Sequence, residues 1–182
     1  MKTTPLITAL LALLLLPAAS HAGSATESKS TPEPQPCYRD NEFTLDVFGG
    51  YFTAETRLNG VNADHGWGGG IGLNYFFHRY YGVGVEGSAF AVDERVNKFV
   101  NLNTYLRFPV EGRICFAPYL FAGGGWEFSP VHDNIHGHAG LGVDFRITSK
   151  MSIFTDARYT WTGGPRVNND FGLFRTGLSF AF

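Results

Sequence analysis

Three histidines and one aspartate that lie close together, His132-Asp133-x-x-His136-x-His138, are the side chains of this sequence best suited to bind a metal ion. His136 and His138 are two residues apart, so both imidazoles point to the same face if the chain is extended there. With Asp133, they would offer the ligand types that zinc or copper prefers. The alternative is a group of polar loop histidines, at the rim of a barrel, that binds nothing. We expect the alternative, and therefore predict no cofactor.

A second set consists of charged residues that stand singly among small and apolar ones. Its acids are Asp46, Glu86, Glu127, Asp144 and Asp156, and its bases are Arg107, Arg146, Arg158 and Arg175. Arginine binds a carboxylate through two parallel hydrogen bonds, which suits a closed interior where each charge needs a partner. We expect an inner charge network in which Arg158 pairs with Asp144 or Asp156.

The segments that carry these charges have the pattern of β-strands. From residue 42 onward there are eight, at residues 42–53, 66–77, 80–92, 97–108, 117–128, 136–147, 151–162 and 171–182. A tilted membrane-spanning strand needs about 9–11 residues, and eight is the smallest usual strand number for a membrane barrel. Glycines interrupt most segments and no helical period is sustained, so the sequence predicts an all-β fold.

Alternation along each segment separates an apolar face from a face that carries the charges. In the sixth segment, one face holds Leu141, Val143, Phe145 and Ile147, and the other holds Gly140, Gly142, Asp144 and Arg146. In the last segment, Leu178, Phe180 and Phe182 alternate with Gly177, Ser179 and Ala181. A period of two is the mark of a strand with two different environments.

Two architectures fit this alternation equally well, strand by strand. A soluble sandwich or lipocalin-like barrel would bury the apolar face, whereas a membrane barrel would turn it toward lipid. Aromatic residues at the segment ends, and the few, balanced charges at mid-strand, favour the membrane barrel. Short connections at His78-Arg79 and Ser149-Lys150 alternate with generally longer ones. We therefore predict an eight-stranded antiparallel up-and-down transmembrane barrel with both termini in the periplasm.

The beginning of the chain indicates export. A positive start is followed by an apolar run from Leu6 to Ala19 and by the small-x-small site Ser20-His21-Ala22, as in a secretory signal peptide. We expect residues 1–22 to be the signal peptide, residues 23–41 a flexible periplasmic leader and residues 42–182 the barrel. The formal net charge of −2 gives no indication of nucleic-acid binding.

Cys37 and Cys115 are the only cysteines. Export places them in an oxidising compartment, and the predicted topology places both on the periplasmic side. Cys37 precedes the first strand and Cys115 lies in the turn before the fifth, on the opposite side of an eight-stranded barrel. A disulfide therefore requires the leader to cross beneath the barrel mouth. The sequence leaves this pairing open.

With these features the chain resembles the small outer-membrane barrels of the OmpA/OmpX type, and most of all the opacity-like "outer membrane protein beta-barrel" family. The resemblance covers residues 42–182 and is carried by Gly70-Ile-Gly72-Leu-Asn-Tyr-Phe-Phe77, Gly140-Leu-Gly142-Val-Asp-Phe145 and Gly177-Leu-Ser-Phe-Ala-Phe182. It implies the outer membrane of a Gram-negative-type bacterium, with outer-membrane lipid and the barrel-assembly machinery as partners. It also implies that Phe180 and Phe182 form the assembly signal.

Some enzymes that modify lipid A have a barrel similar to this one, and they use a histidine together with a serine and an acid. Here such a set would have to come from Ser129, His132, His136 and either Glu127 or Asp133. The deacylase pattern His-x-Ser is absent, because His138 stands two residues after His136. We expect no enzyme.

The expected function follows from the width of the barrel. Eight strands enclose an interior that side chains can fill, and inward glycines such as Gly140 and Gly142 make room for large neighbours. We expect a structural role, or an adhesion or interaction role of the surface loops, with an unidentified extracellular ligand. The first alternative is a narrow channel for small solutes. The second, which we rank after the channel, is a lipid-modifying enzyme.

Overall fold

The computed structural model describes residues 36–54, 65–92, 95–128, 133–162 and 170–182. The predicted signal peptide and the leader up to residue 35 lie outside these ranges, as do parts of several connections between strands. No helix in the described ranges is long and apolar enough to cross a membrane.

Eight antiparallel strands form a closed barrel in which each strand pairs with its neighbours in sequence. Pairing of the first strand with the last closes the barrel, from Thr44 opposite Ala181 to Ala54 opposite Phe171. The predicted fold class is confirmed. The strands are β1 (Glu42–Ala54), β2 (His65–His78), β3 (Tyr81–Val92), β4 (Arg95–Arg107), β5 (Cys115–Phe128), β6 (Asp133–Thr148), β7 (Met151–Thr162) and β8 (Phe171–Ala181).

Two details of the predicted strand pattern were wrong. β5 begins at Cys115, so this cysteine is part of a strand and not of the preceding turn. β4 begins at Arg95, so the connection from β3 is limited to residues 93–94 and is not one of the longer ones. In both cases backbone pairing with the neighbouring strand continues past the point where apolar alternation is visible, as in the pairs Val92–Arg95 and Cys115–Arg146.

The apolar face of every strand points away from the barrel interior. The exposed aliphatic side chains form a band around the barrel: Val47, Ile71, Val83, Val85, Val100, Leu102, Leu120, Leu141, Ile153 and Leu178. A protein in water would bury such a continuous band, whereas lipid solvates it. This arrangement rules out the soluble barrel that the alternation alone had allowed.

The two ends of the barrel differ. We call the end with the turns at residues 79–80 and 149–150 the turn end; β1 begins and β8 ends there. The opposite end, where β1 is connected to β2 and β7 to β8, is the loop end. Exposed aromatic side chains cluster toward both, with Trp67, Trp126, Tyr159 and Trp161 near the loop end and Phe77, Tyr81, Phe108, Phe145 and Phe182 near the turn end.

Candidate functional site in the barrel lumen

Glu86 on β3 is the centre of a buried cluster in the lumen. Arg158 donates to both carboxylate oxygens, from Nη1 to Oε1 at 2.6 Å and from Nη2 to Oε2 at 2.9 Å. Arg175 donates from Nη1 to Oε2 at 2.5 Å, and the side-chain amides of Asn101 and Asn103 donate at 2.8 Å and 3.2 Å. Five donors therefore surround one carboxylate, whose residue is only 4% exposed.

Asp156 on β7 completes this central cluster, which we define as Glu86, Arg158, Arg175 and Asp156. Arg175 donates from Nε and Nη2 to the two oxygens of Asp156, at 2.7 Å each, and the Tyr119 hydroxyl donates to Oδ2 at 2.8 Å. Arg175 thus bridges two carboxylates. A buried ion pair is tolerated when further hydrogen bonds satisfy the remaining polar atoms. Here the side chains of Asn101, Asn103 and Tyr119 supply such bonds to the two carboxylates, whereas Arg158 Nε is buried without a partner among the described residues.

The predicted partner of Arg158 was wrong. Neither Asp144 nor Asp156 pairs with it. Asp156 lies directly opposite Arg175 in the β7–β8 register and pairs with that arginine instead. Arg158 lies two residues nearer the loop end than Asp156 on the inner face, and its side chain reaches across the lumen to Glu86 on β3. The two partners are 72 residues apart in sequence, and their strands, β3 and β7, are not neighbours in the barrel. The ion pair therefore spans the lumen.

His136 and His138 extend the cluster toward β6. Their Nε2 atoms lie 2.7 Å from Asn101 Oδ1 and 2.6 Å from Asn103 Oδ1. Each asparagine already uses its amide group to donate to Glu86, so its oxygen must accept from the histidine. The Nε2 atom of each histidine therefore carries a proton.

The hydrogen bonds from His136 to Asn101 and from His138 to Asn103 join β6 to β4 across the inner face of β5, at positions where β5 has glycines. A Cβ atom at Gly125 would collide with Asn101 Oδ1 and with the carbonyl oxygen of Val100, and one at Gly123 would lie 2.9 Å from His138 Nε2. The absence of side chains at these positions gives the asparagines of β4 access to the histidines of β6. Both glycines thus serve the polar network rather than a turn.

The structure brings together only part of the candidate metal site. His136 and His138 share the inner face, with ring centroids 5.8 Å apart, whereas Asp133 is exposed at the first position of β6. His132 and Ser129, which are also members of the candidate Ser-His-acid set, lie outside the described residues. Among the described residues there is no group of three or more His, Cys, Asp or Glu side chains that could hold a metal ion.

An apolar plug fills the lumen between the central cluster and the loop end. We define it as Phe52, Phe90, Phe99, Phe171 and Leu173, all of which are buried and in one cluster. The rings of Phe52 and Phe171 are 4.5 Å apart, and His136 contacts Phe99 edge-on at 5.9 Å. These residues occupy inward positions near the loop-end limits of their strands.

A second charged cluster closes the lumen at the turn end, and it contains an acid that the sequence pattern did not reveal. Glu42 Oε1 accepts from Arg107 Nη1 at 3.0 Å and from Arg146 Nη2 at 2.8 Å, with all three side chains almost completely buried. Glu42 shares the inner face with Thr44 and Asp46, so alternation alone could have identified it.

The segment before β1 is part of this closure. Tyr38 is fully buried, its ring lies 4.6 Å from the guanidinium carbon of each of Arg107 and Arg146, and its hydroxyl donates to the Asp144 carbonyl oxygen at 2.9 Å. Burial raises the pKa of the Tyr38 phenol, which keeps it protonated as a donor. A disulfide joins Cys37 to Cys115, so the segment crosses beneath the barrel mouth.

The remaining predicted network members are not ion-paired. Asp46 accepts from Asn74 Nδ2 at 2.7 Å. Within the described ranges, Asp46, Glu127 and Asp144 make no contact with an arginine or lysine nitrogen inside 4.0 Å. Asp46 and Asp144 line a cavity of about 30 Å³ between the turn-end and central clusters. The network is therefore two separate clusters rather than one.

The sequence of residues 8–182 matches the family model described as "Outer membrane protein beta-barrel domain". The chain belongs to this family. The expected resemblance is thereby confirmed, and the exposed apolar band is the surface of an outer-membrane protein. No curated protein matches the sequence.

Solved structures of other small barrels share the fold. Neisserial surface protein A is 16% identical, with a TM-score of 0.62 over 77% of this chain and 97% of its own. The N-terminal β-barrel domain of Pseudomonas aeruginosa OprF is 14% identical, with a TM-score of 0.59 over 79% and 98%. Ail, the attachment invasion locus protein of Yersinia pestis, is 14% identical, with a TM-score of 0.53 over 79% and 99%. At these identities, the likeness concerns the fold alone.

Proposed function

We propose that this outer-membrane protein is a closed, non-conducting barrel that serves as a structural anchor and presents its loop end for contact at the cell surface. The observation that carries the proposal is a lumen filled at three levels. From the turn end to the loop end, these are the cluster of Glu42, Arg107 and Arg146 under Tyr38, the central cluster, and the apolar plug.

The space left between these levels is small. The cavity next to Asp46 has a volume of about 30 Å³, and a second one next to His136 and Thr160 has about 10 Å³. Each is of the size that holds one or a few water molecules. A hydrated ion would have to separate Arg158 from Glu86 and then displace the phenylalanines of the plug. This favours the structural and interaction role over the channel.

A planar-bilayer recording tests the closed lumen. Refolded protein is expected to give no conductance steps in symmetric salt, and liposomes that contain it are expected not to swell in small sugars. Heat-modifiable migration on gels verifies that the inserted protein is folded. Reproducible conductance from folded protein would contradict the proposal and put the narrow channel in its place.

The proposed orientation places the turn end in the periplasm and the loop end outside. It is supported by the two-residue turns at residues 79–80 and 149–150, since such barrels have short periplasmic turns and longer outer loops. At the loop end the connections at residues 55–64 and 163–169 are longer, and residues 93–94 are a short exception. Residues 55–64, 129–132 and 163–169, which would carry the surface contacts, lie outside the described residues.

We further propose that the outward-facing Phe180 and Phe182 are recognised by the barrel-assembly machinery. Ail shows only that the same fold is found in an attachment invasion locus protein.

Epitope insertion tests the orientation. An epitope placed within residues 163–169 is expected to be labelled by antibody on intact cells. The same epitope at Gly112, where a side chain would meet no atom within 4 Å, is expected to be labelled only after the outer membrane is permeabilised. The opposite labelling pattern would invert the proposed topology while leaving the fold unchanged.

A further inference from the structure

At the turn end, a groove of about 570 Å³ lies along the disulfide between Cys37 and Cys115. Its lining includes four basic side chains, Arg39, Arg113, Arg146 and Lys150, and no carboxylate. A concave site with charges of one sign concentrates counter-ions. The groove therefore has the electrostatic character of an anion-binding site.

Three of the four basic residues of the groove are free to bind a ligand. Among the described residues, Arg39, Arg113 and Lys150 have no side-chain partner, whereas Arg79 on the same end of the barrel is paired with Glu111 at 3.5 Å. Arg146 is different, because its side chain is 4% exposed and its Nη2 binds Glu42. Its buried Nε–H nevertheless lacks an acceptor. The three unpaired cations, Arg39, Arg113 and Lys150, are therefore the groups that can offer charge-assisted hydrogen bonds to an anion in the groove.

Apolar side chains at the same groove indicate the kind of anion. Ile114 and Ile147 line it and are 69% and 53% exposed. Ile147 lies on the same outer face of β6 as Leu141 and Phe145, so the groove opens where the lipid-facing band meets the turn end. A soluble anion would make no use of these isoleucines, whereas a lipid would place its acyl chains against them and its headgroup among the cations.

We propose that this groove binds the phosphate-containing headgroup of an anionic phospholipid. Under the proposed orientation, this lipid belongs to the inner leaflet of the outer membrane. The choice of leaflet rests on the proposed function, whereas the binding of the headgroup to the groove does not. The disulfide builds the site, because Arg39 and Arg113 each lie two residues from a bridged cysteine. It holds the segment before β1 against the start of β5, with 6.0 Å between the two Cα atoms.

Lipid retention by the full mature chain tests the proposal. The protein is refolded, transferred to nanodiscs that contain phosphatidylglycerol and phosphatidylcholine, and analysed by native mass spectrometry for lipid that stays bound. The variant Arg39→Gln/Arg113→Gln/Lys150→Gln is expected to lower the apparent affinity for phosphatidylglycerol at least about tenfold. Phosphatidylcholine binding is expected to be unchanged. Reduction with dithiothreitol is expected to weaken the preference in the wild type.

The triple variant is compared with the control Arg79→Gln/Lys98→Gln, and also with the double variant Arg39→Gln/Arg113→Gln, which removes the same number of cations as the control. The control removes two cations outside the groove and is expected to retain the wild-type preference, whereas the double variant is expected to weaken it. Heat-modifiable migration confirms that each variant is folded. Wild-type retention in the triple variant would overturn the proposal, and so would an equal loss in the control, which would indicate diffuse surface charge. Competition by inorganic phosphate at equal effectiveness would show a soluble-anion site instead of a lipid site. None of these outcomes bears on conductance, so the proposed function is tested separately.

Discussion

Replacing Glu86 with glutamine is expected to lower the free energy of unfolding of the refolded protein by about 3–5 kcal/mol. The carboxylate accepts hydrogen bonds from Arg158, Arg175, Asn101 and Asn103. Glutamine keeps one acceptor oxygen and turns an NH₂ group toward these donors. Arg158 would lose its counter-ion inside the barrel, whereas Arg175 would keep Asp156. Equilibrium unfolding in urea, followed by tryptophan fluorescence in detergent micelles, measures the loss.

Asp46→Asn is the matched control for this prediction. It makes the same carboxylate-to-amide change on the inner face, at a side chain that accepts from Asn74 and has no arginine partner within 4.0 Å. We expect it to lower the unfolding free energy by much less than Glu86→Gln. Equal effects of the two changes would mean that the central cluster has no special importance for stability.

A double-mutant cycle separates pairing from simple burial. Arg158→Met alone leaves Glu86 with Arg175 as its only arginine partner, and the double variant Glu86→Gln/Arg158→Met removes both members of the pair. We expect the double variant to be more stable than the sum of the single effects predicts. A coupling energy near zero would mean that water solvates these charges individually. The lumen would then be wetter, and the channel would become the better explanation of the protein.

The fold followed from a short-range signal that the sequence displays directly. Alternation in segments such as Leu141–Ile147 identifies the two faces of a strand, because successive side chains point to opposite sides. Composition then assigns those faces, since Asp144 and Arg146 cannot lie in lipid. The number of strands and their up-and-down order needed no information about contacts between distant residues. These features were therefore predicted correctly.

The pairing within the lumen could not be predicted in the same way. Which inward residues meet depends on the register of every strand and on the tilt that closes the barrel. Glu86 and Arg158 belong to strands on different sides of the barrel, and no local pattern relates them. His136 is a similar case: its spacing from His138 suggested a metal site, but the glycines of β5 allow it to bond to Asn101 instead.

Replacing Leu141 with arginine is expected to cost about 2–4 kcal/mol of stability in lipid and to reduce the yield of inserted protein sharply. Leu141 is 61% exposed and lies mid-strand on β6, with Leu120 and Ala157 as its cross-strand neighbours. An arginine there would stand in the hydrocarbon, far from either end of the barrel. The measurement is urea unfolding in phospholipid vesicles, combined with the fraction that shows heat-modifiable migration.

Two further variants distinguish the cost of placing a charge in lipid from the cost of disturbing the barrel. Val96→Arg introduces the same charge on an exposed, outward side chain near the loop end, where the cost should fall to about 0–1 kcal/mol. Gly142→Leu changes the inward neighbour of Leu141, where even a Cβ atom would lie 2.6 Å from the Tyr119 ring. It should be destabilising in detergent and in lipid alike. The free-energy cost of an introduced arginine should instead depend on its depth in the membrane, and should be larger at residue 141 than at residue 96. Equal costs at the two positions would mean that the band of exposed aliphatic residues does not face the hydrocarbon.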